Sequence, residues 1–101
     1  MIGRDFKFHD GKKGAALAIR IIKDSKKNEI SKVLKEGTVV VHLKGNSENS
    51  KERLIQYLSS ELNIDQNRFD VIEGKDGVDI LLSILDIEPN EIQKLILKKI
   101  S

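Results

Sequence analysis

Apolar residues in this 101-residue chain fall into short stretches, and the changes in their spacing predict its elements. Phe6 and Phe8 alternate with charged or polar neighbours, and two glycines within residues 10–14 predict a turn. Residues 15–22 read as a strand. Side chains alternate along extended backbone, so Leu17, Ile19 and Ile21 share one face, with Ala16, Ala18, Arg20 and Ile22 on the other. A polar loop over 24–28 follows, and then residues 29–35 resume extended character around Ile30, Val33 and Leu34. Glu36-Gly37 has the composition of a tight turn. Residues 38–44 carry the clearest strand signal, with Val39, Val41 and Leu43 facing one way and Val40 and His42 the other.

The period then becomes helical. Asn49 followed by Glu52 has the form of a capping box, and Leu54, Ile55, Leu58 and Leu62 make an apolar stripe. Phe69, Val71 and Ile72 begin a strand that ends at Gly74. Asp76-Gly77 predicts a hairpin turn into a strand over 78–85 whose second half is apolar on both faces. Glu88 at the cap, Pro89 at the first helical position and Glu91 in the first turn open a final helix, which buries Ile92, Leu95, Ile96 and Ile100. Ile87 is placed to staple against Ile92, and Leu97 lies outside the stripe as a rim residue. Strands first, then helix, hairpin and helix predict an α+β two-layer sandwich. The expected architecture is a mixed or antiparallel sheet of four or more strands with two helices packed on one face, as a single domain over 1–101.

Composition narrows the functional classes. The absence of cysteine removes a disulfide scaffold, a thiolate metal site and a cysteine nucleophile, and agrees with a cytoplasmic location. Charges within the first ten residues interrupt any signal-peptide pattern, and no apolar run approaches the length of a membrane span, so no membrane is expected. Four aromatic residues leave little for base stacking. His9 and His42 are the only imidazoles, too few for zinc without thiolates, so neither a metal nor a cofactor is expected. The glycines and lysines of residues 10–14 precede a strand, whereas a phosphate loop precedes a helix. Asp76 with Asp79 and Glu88 with Glu91 are explained by a turn and a helix cap, and Ser47, Ser50, Ser59, Ser60 and Ser83 have no recognisable His-Asp arrangement.

Charge is the one uneven property. The net charge is +2, but residues 1–53 hold thirteen Lys/Arg against seven Asp/Glu, and residues 54–101 hold five against nine. Arg20, Lys23, Lys26, Lys27, Lys32 and Lys35 form the constellation of interest. A hairpin between the strand over 15–22 and the next would bring several of them to one side, where a positive field attracts phosphate. The competing reading is a lysine surface that protects a sheet edge from aggregation. Fourteen lysines against four arginines also provide few of the bidentate forks that suit close phosphate recognition.

The succession AALAIRI, NEISKVLKEGTVVVHLKG, KERLIQYLSSELNI, FDVIEG and VDILLSI resembles the YggU-like family of small proteins over roughly residues 14–97. The resemblance rests on the order and spacing of elements and includes no catalytic signature. It implies a two-layer α+β fold with two helices, an intracellular location and no established biochemical activity. Family members carry a Pro-Pro turn and a Gly-Lys-Ala-Asn stretch before the first helix, where this chain has Lys44-Gly45-Asn46-Ser47-Glu48-Asn49-Ser50-Lys51. Their Ser-Arg-x-Lys pattern becomes Gly77-Val78-Asp79-Ile80 here, which makes the chain a divergent member. An anion site implied by the family is carried over weakly to Lys51, Gly74 and Lys75.

Three readings follow, in order of support: a non-enzymatic binding or accessory module with a protein partner, a domain that binds nucleic acid weakly and without sequence preference, and a small enzyme with an unrecognised site. Because no metal is needed to complete a core of this composition, a chelator is expected to leave the melting temperature unchanged. A large fall on chelation would reveal a structural metal.

Overall fold

The computed structural model describes residues 2–8, 10–45, 49–74 and 78–100. His9, Ser47, Lys75 and the expected Asp76-Gly77 turn lie outside the described residues. The chain is α+β, with a six-stranded mixed sheet and two helices. β1 (Gly3–Lys7) turns into β2 (Lys13–Ser25) through a bend closed by two backbone bonds between Phe8 and the residues Gly11 and Lys12. Gly11 supplies a φ of 83° there, and the Asp10 carboxylate accepts from the Lys12 amide. β3 (Glu29–Val33) and β4 (Val39–Lys44) follow, then α1 (Ser50–Leu62), one turn of 3₁₀ helix at Gln66–Arg68, β5 (Phe69–Glu73), β6 (Asp79–Leu85) and α2 (Pro89–Ile100). No helix among the described residues is long and apolar enough to cross a membrane.

The strand order is β3-β4-β2-β6-β5, and β1 lies off this path. β2 is thirteen residues long and serves both halves of the sheet. Its residues 14–20 pair with β6, residues 13–17 pair antiparallel with β1, and residues 19–25 pair parallel with β4. The hairpin expected between β2 and β3 does not form, because β4 inserts between them. Composition accounts for this: Val39, Val40 and Val41 are all buried, as an interior strand requires, whereas β3 exposes Lys32 and half-exposes Glu29 and Ser31, as suits an edge. The polar segment read as a loop from residue 24 also begins later. Strand β2 continues to Ser25 through a register irregularity, with Asp24 in the left-handed region at φ 58°.

One face of the sheet carries the core. Ala15, Leu17, Ile19 and Ile21 of β2 stand in register with Ile84, Leu82 and Ile80 of β6 and with Val39 and Val41 of β4, all 4% exposed or less. Leu54, Leu58 and Leu62 of α1, with Ile92 and Ile96 of α2, close over the same face in a single hydrophobic cluster. Ile55, Leu95 and Ile100 pack at its margin, while Leu97 is 49% exposed, in keeping with its rim position.

Helix α1 begins where expected but by other means. Asn49 adopts a left-handed conformation at φ 60° and its side chain makes no capping bond, so the capping box is absent; Ser50 is buried beside it. The other end closes through Asn63 in the left-handed region, with its amide bonded to the Ser59 carbonyl, and through the Ser59 hydroxyl donating to the Ile64 carbonyl. Arg68 donates to the carbonyls of Leu85 (2.9 Å) and Asp86 (2.7 Å), holding the corner at which β6 turns into α2.

Two substitutions test this packing. Leu58→Ala should lower the unfolding free energy by about 2–4 kcal/mol, measured by chemical denaturation, since it empties a site 1% exposed. At Gly14 a β-carbon would lie 2.2 Å from the Ile84 carbonyl oxygen and 2.9 Å from the Phe8 ring. Gly14→Ala should therefore destabilise by at least about 2 kcal/mol despite adding one methyl group, and an unchanged denaturation midpoint would contradict the close approach of β2 and β6.

Candidate functional site

The parallel pairing of β2 and β4 brings the ends of both strands to one end of the sheet. Ser25 and Lys44 are register partners, the Lys44 amide donates to the Asn28 side chain at 2.7 Å, and the Asp24 amide donates to the Gly45 carbonyl at 2.9 Å. The loop carrying Lys26 and Lys27 is thereby tied to the exit of β4. Gly45, at φ 84°, lies under the Arg53 guanidinium: a β-carbon there would sit 3.4 Å from a terminal nitrogen. Lys51, on the first turn of α1, passes its Cε within 3.5 Å of the corresponding point at Gly74. Lys23, Lys26, Lys27, Lys44, Lys51 and Arg53 thus gather at this end, and the acids among them, of the described residues, are Asp24, Glu29 and Glu52. Lys26, Lys27, Lys44 and Lys51 are exposed; Lys27 pairs with Glu29 at 3.6 Å, an exposed contact of small energetic weight.

The structure divides the six residues singled out from sequence. Lys23, Lys26 and Lys27 belong to the basic end. Arg20 stands on the open face of the sheet, directly across from Asp79, with Nε 2.8 Å from the carboxylate. The hydrogen bond to Asp79, then its charge, then that of Glu36 raise the Arg20 pKa above its ordinary value. Lys32 lies on the same open face beyond Val40, and Lys35 sits in the β3–β4 turn, at the opposite end of β3 from Lys26 and Lys27. The single stripe on a β2–β3 hairpin is therefore replaced by a cluster at the strand ends, because the interposed β4 separates the two strands. Lys44 and Arg53 were not singled out from sequence, since the topology that adds them is encoded in no local pattern. Of the family-derived set, Lys51 and Gly74 are adjacent, and Lys75 lies outside the described residues.

One Ser–His contact also went unforeseen. Ser25 Oγ lies 3.1 Å from His42 Nδ1 and donates to the Ile22 carbonyl at 3.2 Å. A hydroxyl has one proton, so when Ser25 donates it to the Ile22 carbonyl its oxygen is left to accept from Nδ1–H, the reverse of the polarity by which a histidine activates a serine nucleophile. The contact braces the irregular end of β2 against β4. Among the described residues no group of three His, Cys, Asp or Glu side chains is arranged to hold a metal. At the opposite end, Asp5, Asp86, Glu88 and Glu91 with Lys7 and Lys13 line an open hollow of ≈ 550 Å³.

No protein-family model matches the chain, and no curated protein matches it.

Tyr57, the sole tyrosine, is half-buried on α1. Burial first, and the nearby Glu61 carboxylate second, raise its pKa above the ordinary 10.0, against an opposing backbone hydrogen bond with Ile30. The folded phenol holds its proton to higher pH than the unfolded one. Its contribution to stability is therefore complete below about pH 10 and is lost as pH rises through the folded value. An ultraviolet titration of the phenolate band should give an apparent pKa above 10.0, lowered but not returned to 10.0 by Glu61→Gln.

Proposed function

We propose that this chain is a non-catalytic, cytoplasmic binding module of the YggU-like type that holds the phosphate backbone of nucleic acid at its basic end, without reading sequence. The observation that supports this reading is the convergence of Lys23, Lys26, Lys27, Lys44, Lys51 and Arg53 where β2, β4 and α1 meet. These residues span thirty-one positions of sequence but share one end of the sheet. Membership of the YggU-like type is supported by the two-layer α+β architecture and by the adjacency of Lys51 and Gly74, whose counterparts the resemblance singles out. The cytoplasmic location rests on the cysteine-free composition.

Lysine ammonium groups on flexible stems act as mobile point charges, so they neutralise phosphates without fixing a base register. Four aromatic residues, two of them stacked edge to face as the Phe6–Phe8 pair, provide no ladder for bases. Binding of this kind is dominated by counterion release and weakens steeply with salt.

Fluorescence anisotropy with a labelled mixed-sequence oligonucleotide at about 50 mM salt tests the proposal. The expected dissociation constant is micromolar or weaker, equal across sequences, and lost when Lys23, Lys26 and Lys27 are changed together to Glu while the melting temperature holds. No binding by the wild-type chain, or undiminished binding by the triple variant, would refute it.

A further inference from the structure

Both helices cover one face of the sheet, and the outward residues of the other face follow from the strand register. On β6 they are Asp79, Leu81, Ser83 and Leu85; directly across on β2 they are Arg20, Ala18, Ala16 and Gly14. Asp70 of β5 stands beside Ser83, and Arg4 of β1 beside Ala16. Lys32 and Val40 continue the Arg20 row on β3 and β4. The face is apolar at its centre: Ala18 is exposed and Leu81 half-exposed beside the buried Ala16, Ser83 and Val40, and Ile22 and Ile72 are 39% and 38% exposed at its margins. The Phe8 ring lies against Gly14 at one end of the face, and the hollow over Ala18 is rimmed by Arg4, Glu36 and Leu81.

We propose that a second copy of this chain covers this face, in a two-fold dimer whose axis runs along the strands between β2 and β6. Three properties favour this occupant. The face is self-complementary, because that rotation lays β6 of one protomer over β2 of the other and β5 over β1. Leu81 then meets the hollow left by Ala18, and this happens twice by symmetry. Charges match in the same operation: Asp70 comes over Arg4, and Asp79 over Arg20, so the internal Arg20–Asp79 pair of 2.8 Å is extended into a group of four alternating charges. Neither Arg4 nor Asp70 has an ion-pair partner among the described residues.

Area is the third. The rotation superposes four strand columns at about 4.8 Å spacing over the seven residues that β2 and β6 share at about 3.3 Å rise, about 450 Å² of plane per partner. That is below the roughly 800 Å² per partner of a standard stable interface and fits a dimer that forms only as concentration rises. Sheets stacked face to face cross at about 30°, which preserves the central Leu81–Ala18 contact and leaves Arg4 long enough to reach Asp70.

The same axis turns the basic ends of both protomers to one side. This consequence rests on the nucleic-acid reading above, whereas the dimer itself does not.

Sedimentation equilibrium of the protein alone tests the dimer. The wild-type chain should show a mass approaching twice 11.4 kDa as concentration rises. Ala18→Arg, which fills the hollow, and Asp70→Arg, which sets like charges together, should each return the mass to the monomer with the circular dichroism spectrum of the folded chain unchanged and the melting temperature no longer dependent on concentration. Arg4→Asp combined with Asp70→Arg should restore the dimer. A monomer at every concentration up to about 1 mM, a dimer indifferent to Ala18→Arg, or a double variant that stays monomeric would each overturn the proposal. In the anisotropy assay, Ala18→Arg should reduce the slope of log affinity against log salt to about half, since one basic end then remains in contact. A dimer without nucleic-acid binding would refute the earlier reading and leave this one standing.

Discussion

Everything in this fold depends on β2 being paired along both edges through its middle, residues 14–20 on the β6 side and almost the whole strand on the other. One edge is taken by β6, and the other is divided between β1 and β4, so the strand acts as a spine to which two short sheets attach. That arrangement constrains its sequence. The inward face must be continuously apolar, which Ala15, Leu17, Ile19 and Ile21 satisfy, each at 2% exposure or less. Gly14 must stay free of a side chain where the Ile84 carbonyl approaches. The thirteen-residue length must come without a break, so the irregularity at Asp24 is deferred to the last turn of the strand.

The elements were legible in sequence wherever one residue's neighbours decide its state. β4 announces itself by consecutive β-branched residues, and α2 by Pro89 at its first position, which costs no hydrogen bond there. The alternation in β2 also placed Leu17, Ile19 and Ile21 on the inward face, where they lie with Ala15, because period-two burial is a property of the strand alone. Pairing was less legible. Neighbouring strands pair more often than not, and that tendency favoured a β2–β3 hairpin. What overrides it is the need to bury β4 on both faces, a competition between strands that no local window contains. The cap of α1 fails for a local reason: Asn49 stands in the left-handed region, where its side chain makes no bond to the helix amides.

The same topology explains why the charged residues regroup. In a hairpin, lysines on consecutive strands would be spread along two neighbouring edges. In the observed order β2 and β4 run parallel, so the loop after one strand and the exit of the other are forced to the same end, tied by Asn28 and by the Asp24–Gly45 backbone bond. Lys44 and Arg53 therefore join Lys23, Lys26 and Lys27 across a gap in sequence, while Lys32 and Lys35, nearer in sequence, are carried away along β3. Charge asymmetry between the halves of the chain pointed to the first half as the more basic. Which lysines compose the basic end follows from strand order.

Two-layer folds have one face of the sheet to spare, and what occupies its surface separates a solvated face from a covered one. A solvated face is expected to alternate toward polar residues, as antiparallel sheets with one wet side do. Here the outward positions of β2 are Gly14, Ala16 and Ala18 before the first charge at Arg20, and those of β6 include Leu81 and Leu85. Gly14, against the Phe8 ring, and Ala16 are buried, and Ala18 beside Leu81 leaves an apolar floor that offers water few hydrogen-bonding groups. The charges lie toward the rim with opposite signs on opposite sides, Asp70 on β5 and Arg4 on β1. An apolar centre with a polar rim is the general anatomy of a recognition surface. Here the rim signs also fit the two-fold image of the face itself, which is why symmetry, more than hydrophobicity alone, selects a second copy as its cover.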